Sequence, residues 1–123
     1  MIYLLDTDTF TLAHQGRRGL RERIRAVSAP DEVVVCLATR IEVLQGRYEA
    51  VKKAATAVEL LTARERLGQS EHYLRQFREL DIDQPVGDQF SRFRAERKYN
   101  KMDRGDLLYA CIALTHQATL VTR

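Results

Sequence analysis

Apolar residues fall into two patterns along this chain. The first is the short unbroken run. Ile2-Tyr3-Leu4-Leu5 stops abruptly at Asp6-Thr7-Asp8, Val33-Val34-Val35-Cys36-Leu37 is continuous and rich in β-branched residues, and Ala118-Thr119-Leu120-Val121-Thr122 forms a third. A weaker fourth, Leu80–Asp83, stands just ahead of Pro85. Runs of this length bounded by polar residues predict strands buried on both faces, as in a parallel sheet. The second pattern is a recurrence every three or four positions. It predicts short helices over 9–14 and 17–27, separated by Gly16 and closed near Pro30, and a helix over 40–46 directly after the second strand. A longer amphipathic helix is expected over 49–66, carried by Val51, Ala55, Val58 and Leu61 or Thr62. Tyr73, Leu74, Phe77 and Leu80 mark another helix, and Val86, Phe90 and Phe93 one more. Residues 105–116 are apolar on most sides, so that helix should be the most buried. Strands alternating with helices predict an open α/β layer fold. No internal repeat, low-complexity tract or linker interrupts it, and a single domain over 1–123 is expected.

Composition narrows the class. Apolar residues make up 45% of the 123 residues and charged residues 30%, the balance of a folded globular chain. No apolar run approaches the ~20 residues that span a bilayer. The start has no basic region and turns acidic at Asp6, unlike a signal peptide, so a cytoplasmic location is the expectation. Cys36 and Cys111 sit inside apolar stretches without neighbours at metal-ligand spacing and read as reduced, buried thiols. A net charge of +3 is compatible with a polyanionic partner and does not by itself identify one.

The chemistry lies in the acids. Open parallel sheets bind ligands beyond the carboxyl ends of their strands. Asp6 and Asp8 stand at the end of the first strand, and Glu42 lies just past the second. Asp103 and Asp106 stand three residues apart at the entry of the helix leading to the last strand, roughly on one side of it. Parallel topology brings these stretches to a common edge. Carboxylates crowded there must take up protons or share a cation. An all-oxygen cluster without His, Cys or Lys suits Mg²⁺ or Mn²⁺ and metal-assisted phosphodiester hydrolysis rather than zinc or covalent chemistry.

Helix capping accounts for the same residues in another way. Thr39-Arg40-Ile41-Glu42 fits a capping box, with Thr39 at the cap. Asp103 and Asp106 suit a helix N-terminus, and Asp8 could cap the helix after it. Asp6 is harder to assign to capping alone, because a carboxylate ending a buried strand costs free energy unless paired or solvated.

In order along the chain, Ile2 to Asp8 resembles the opening of PIN domains, above all the VapC branch, where an apolar strand runs into Asp-Thr-Asn or Asp-Thr-Asp. Thr39-Arg40-Ile41-Glu42-Val43-Leu44-Gln45-Gly46 resembles that family's Glu-Leu-x-x-Gly segment. Gly105 to Leu114 resembles its Asp-Leu-Leu helix, and Ala118 to Arg123 its last core strand. The resemblance implies a three-layer α/β/α fold, with an open, mainly parallel twisted sheet of about four strands. It also implies a toxin of a type II toxin–antitoxin pair that cleaves RNA, such as tRNA or ribosomal RNA, and that is held inactive by an antitoxin. Asp6, Glu42 and Asp106 then fall on the catalytic and metal-binding positions for one or two Mg²⁺ or Mn²⁺ ions. Thr7 and Thr122 match polar positions beside them, and Asp8 and Asp103 rank second as neighbours of ligand positions. A homodimer is implied, with a basic groove for which Arg17, Arg18, Arg21, Arg47, Lys101 and Arg104 are candidates. The exposed apolar positions of the helices over 49–66 and 71–80 offer an antitoxin clamp. The chain departs from the family pattern after Thr122-Arg123, where a further Asn or Asp and a fourth acid would follow; the expectation is a domain short of that end.

Other chemistries find little support. His14, His72 and His116 are scattered, Gly16 and Gly19 lack the lysine and spacing of a phosphate loop, and no Gly-x-Ser-x-Gly elbow is present. A receiver-like phosphoacceptor domain would need a lysine at the end of a late strand, where this chain has Thr122-Arg123. The remaining alternative is a PIN-like protein-interaction module that has lost catalysis.

Overall fold

Four parallel strands form one sheet in the order β3–β2–β1–β4, with β1 (Ile2–Leu5) and β2 (Glu32–Cys36) inside and β3 (Arg78–Leu80) and β4 (Ala118–Val121) at the edges. The computed structural model describes residues 1–122. Six helices connect and cover the sheet: α1 (Thr7–His14), α2 (Leu20–Ala26), α3 (Leu37–Lys53), α4 (Ala57–Leu74), α5 (Gln84–Arg94) and α6 (Arg104–Thr115). Short 3₁₀ turns at Arg17–Gly19 and Arg97–Tyr99 precede α2 and α6.

Strand alternation sorts the apolar residues into two cores. Leu4 and Val34 face one side of the sheet and pack with Leu80, Val86, Leu107, Cys111 and Ile112 under α5 and α6. Leu5 and Val35 face the other and pack with Phe10, Ala13, Tyr73 and Leu74 from α1 and α4. Both faces are therefore covered, which explains why the central strands are unbroken apolar runs rather than alternating ones. Burying each large side chain of this set contributes roughly 1.5–3 kcal/mol. The expected three-layer α/β/α arrangement is observed.

Register fixes what lies at the sheet's carboxyl edge. Leu4 pairs with Val34 and Leu120, Leu5 with Val121, and Cys36 with Leu80. The residues that follow β1, β2 and β4 therefore emerge on one edge. Gly16 ends α1 in the left-handed conformation (φ 71°), where a residue without Cβ is unstrained.

The helix boundaries differ from the periodicity in three places. Helix α3 begins at Leu37, directly after Cys36, and runs to Lys53, so the expected helix over 49–66 is divided. The break at 54–56 is made by Thr56, whose hydroxyl accepts a hydrogen bond from the Glu59 backbone N–H while the Glu59 carboxylate accepts from Ala55 N–H. Tyr73 and Leu74 belong to the end of α4, Phe77 lies in the turn after it, and Leu80 closes β3 instead of a further helix. The fourth strand is Arg78–Leu80 rather than Leu80–Asp83, because Asp83 caps α5 through Val86 N–H.

Candidate active site

Asp6 leaves β1 in an extended conformation and opens α1: its Oδ1 accepts a hydrogen bond from Thr9 N–H at 2.8 Å. One carboxylate oxygen is thus held by the helix. The expected cap at Asp8 is corrected here; Asp8 lies inside the first turn of α1, exposed to solvent. One residue on, Thr9 donates its hydroxyl to Val121 O at 3.2 Å and Asp6 N–H donates to the same carbonyl, also at 3.2 Å. The turn carrying Asp6 is therefore pinned to the end of β4.

The capping box proposed for Thr39 and Glu42 does not form. Because α3 starts at Leu37, Thr39 sits inside its first turn, fully buried, and Glu42 lies on the second turn with its side chain exposed. Thr39 Oγ1 donates to Leu5 O at 3.3 Å and lies 2.6 Å from Tyr109 Oη, which in turn lies 2.7 Å from Thr7 Oγ1. Burial pushes the Tyr109 phenol up to about 12, against the opposing pull of its bonds to Thr39 and Thr7, so it is a neutral hydroxyl at any physiological pH.

Asp103 is a cap, as helix chemistry suggested: its Oδ2 accepts from Gly105 N–H at 2.9 Å and Asp106 N–H at 3.3 Å. A Cβ at position 105 would stand 2.9 Å from that oxygen, so glycine is what lets the carboxylate fold back over the helix end. Asp106 lies in the first turn of α6, exposed.

These separate stretches border a single cavity of about 400 Å³ at the carboxyl edge of the sheet. Asp6, Thr7, Asp8, Glu42, Asp103, Asp106 and Thr122, every primary and secondary acidic or hydroxyl candidate, line it. Tyr109, Gly105 and Leu120 complete the wall. Arg123, which follows Thr122 in the family-like strand, lies outside the described residues. The basic candidates Arg17, Arg18, Arg21, Arg47, Lys101 and Arg104 are not among the lining residues. Arg21 donates to the Ala13 carbonyl and stacks over Tyr73, and Arg47 Nε donates to buried Ser70 at 3.0 Å. Arg17, Arg18, Lys101 and Arg104 are exposed.

The donor set fits a hard divalent cation. Five carboxyl groups and two threonine hydroxyls face the cavity with no cationic side chain among its lining residues. Among the described residues no ion pair engages any of the five. Among the same residues, no three His, Cys, Asp or Glu side chains already converge as a ligand cluster. Unneutralised carboxylates repel one another, and Glu42 and Asp106 sit exposed on α3 and α6. Asp6, Glu42 and Asp106, the three expected from the sequence, are among the lining residues that could hold such an ion.

Tyr109 was not singled out from the sequence, and Thr39 was read there only as a helix cap. The available signal was a tyrosine one helical turn beyond Asp106 in an otherwise apolar helix, since a buried phenol needs a polar partner. Cys36 and Cys111 are free and buried, as expected, and burial raises both thiols.

The fold is an open parallel α/β domain with an acidic cavity beyond its strand ends, and the comparisons give the family. The model of the PIN domain matches residues 3–123, and the chain belongs to that family. The structure is similar to the VapBC2 complex of Rickettsia felis bound to a DNA fragment from its promoter, with TM-score 0.79 and 19% identity over 99% of this chain and 86% of that one. It is similar to DNA-bound VapBC from Salmonella typhimurium, with TM-score 0.78 and 21% identity over 99% and 86% of the two chains. FitAcB from Neisseria gonorrhoeae gives TM-score 0.69 and 25% identity over 100% and 87%. Comparison with curated protein sequences found no match. Among the described residues no helix is long and apolar enough to cross a membrane.

Proposed function

We propose that this protein is a Mg²⁺- or Mn²⁺-dependent endoribonuclease, the VapC-like toxin of a type II toxin–antitoxin pair. One observation carries the reading: Asp6, Glu42 and Asp106, drawn from three distant parts of the sequence, border one cavity that has no cationic lining residue. Their carboxylates supply the oxygen ligands, with Asp8, Asp103 and the hydroxyls of Thr7 and Thr122 at the rim. The bound ion would supply an activated water and neutralise charge developing on a phosphodiester oxygen. The exposed cations Arg17, Arg18, Lys101 and Arg104, together with Arg47, are assigned to the RNA backbone, which implies salt-sensitive binding. RNA of the structured tRNA or ribosomal kind is the substrate class.

The similarity to toxin–antitoxin complexes supports an antitoxin partner for this chain in the cytoplasm. Exposed Val58 and Leu61 on α4 and Ile41 and Tyr48 on α3 provide the apolar surface for it. A homodimer is part of the same reading.

The test is cleavage of a mixed RNA pool by purified protein. Activity should require Mg²⁺ or Mn²⁺, disappear with chelator, and be lost in Asp6→Asn, Glu42→Gln and Asp106→Asn. Cleavage that survives chelation or these substitutions sinks the reading. The absence of a preassembled three-acid cluster among the described residues favours a second reading, an interaction module without catalysis. Wild-type protein that binds Mn²⁺ fully yet cuts no RNA would establish that alternative.

A further inference from the structure

Each of the three carboxylates proposed as ligands has a hydroxyl close by in its own element. Thr7 follows Asp6, Thr39 precedes Glu42 by three residues on α3, and Tyr109 follows Asp106 by three on α6. Those three hydroxyls bond to one another, at 2.7 Å for Thr7 to Tyr109 and 2.6 Å for Tyr109 to Thr39. Thr39 also reaches the Leu5 carbonyl, which can only accept, at 3.3 Å. Either oxygen can be the donor in each of the two hydroxyl contacts. The relay starts on the residue after Asp6 and ends on the residue before it. In between it passes through the helices that carry Glu42 and Asp106.

We infer that Tyr109 is the positioning residue of the acidic site, holding α1, which Asp6 caps, α3 and α6 at the spacing at which their three carboxylates can share one ion. The inference rests on the metal-nuclease reading above. Its oxygen reaches both threonines, and burial keeps water from replacing the Thr39 bond cheaply. Partners bonded directly to a ligand typically contribute about tenfold to hundredfold in metal affinity or activity, and Tyr109, acting through the elements that carry the ligands, is expected at the lower end of that range.

The experiment is titration with Mn²⁺ alone, read by its paramagnetic resonance, on wild type and Tyr109→Phe, with RNA cleavage measured in parallel. Loss of the hydroxyl should weaken Mn²⁺ binding about tenfold and lower kcat, with little change in KM, because no RNA contact is removed. Thr39→Val should behave alike, Thr39→Ser should bind as wild type, and combining Thr39→Val with Tyr109→Phe should be no worse than either alone. Unchanged Mn²⁺ affinity in a folded Tyr109→Phe protein would overturn the positioning role while leaving the nuclease reading intact. If Tyr109→Phe does not fold, the Thr39→Val and Thr39→Ser pair decides: equal affinities refute the role, a deficit in valine alone supports it. Wild-type protein that binds no Mn²⁺ would overturn the nuclease reading itself.

Discussion

Asp6 Oδ1 lies 2.8 Å from the backbone nitrogen of Thr9, so the carboxylate that ends the central strand also caps the helix after it. The residue therefore has two roles that substitution can separate. Asparagine caps nearly as well as aspartate but is neutral, whereas alanine does neither. Asp6→Asn should keep the thermal midpoint of the wild type and lose RNA cleavage. Asp6→Ala should lose cleavage and about 0.5–2 kcal/mol of stability as well. Equal stability of the two variants in a denaturant titration would show that the cap contributes nothing.

Asp103 and Asp106 stand three residues apart on the same cavity wall, and the hydrogen bonds divide their duties. Asp103 serves the α6 N-terminus through Gly105 and Asp106 N–H, while Asp106 has the freer carboxylate. Asp103→Asn is expected to retain both fold and measurable cleavage; Asp106→Asn should retain the fold and cleave nothing. Reversal of that order in parallel cleavage assays would move the ligand assignment from position 106 to position 103.

Much of this organisation was legible because parallel sheets write themselves into sequence plainly. A run such as Ile2–Leu5 that stops at an aspartate gives both a strand and the edge it points to, and β1, β2 and β4 lie within one residue of their apolar runs. The break between α3 and α4 was hidden, since Ala54-Ala55-Thr56 contains neither Gly nor Pro and the apolar recurrence passes through it. Only Thr56 and Glu59, three apart, carried the signal. The hydroxyl relay was hidden for a different reason. Tyr109 meets partners 70 and 102 positions away, and no local pattern encodes a contact of that range. Glu42 was legible as a site residue but carried a rival reading as half of a capping box, which loses to the strand-to-helix junction at Cys36.

Ligand linkage gives a test that needs no substrate. An ion that binds the folded carboxylates and not the unfolded chain raises stability by about 2.7 kcal/mol at a hundred times its Kd. Mn²⁺ should therefore raise the thermal midpoint of the wild type, with chelator reversing the shift. Asp6→Asn and Asp106→Asn should show little or no rise under the same conditions. A rise of equal size in all three proteins would place the ion elsewhere on the molecule.

His14 makes stability depend on pH on the opposite side of the sheet from the α6 core. Its Nε2 lies 3.3 Å from Ser70 Oγ, its ring stacks on Tyr73, and Nδ1 is buried without a partner among the described residues. Burial first, then the positive charges of Arg21 and Arg47, hold its pKa below the ordinary 6.5. The folded protein thus resists a proton that the unfolded chain accepts. Its contribution to stability is complete above 6.5 and is lost as pH falls below that value, levelling off once the folded imidazole is itself protonated. His14→Gln should flatten the dependence of the unfolding midpoint between about pH 8 and about pH 5, the other two histidines being common to both proteins. A variant whose midpoint falls with acid as steeply as that of the wild type would show that the proton is taken up elsewhere.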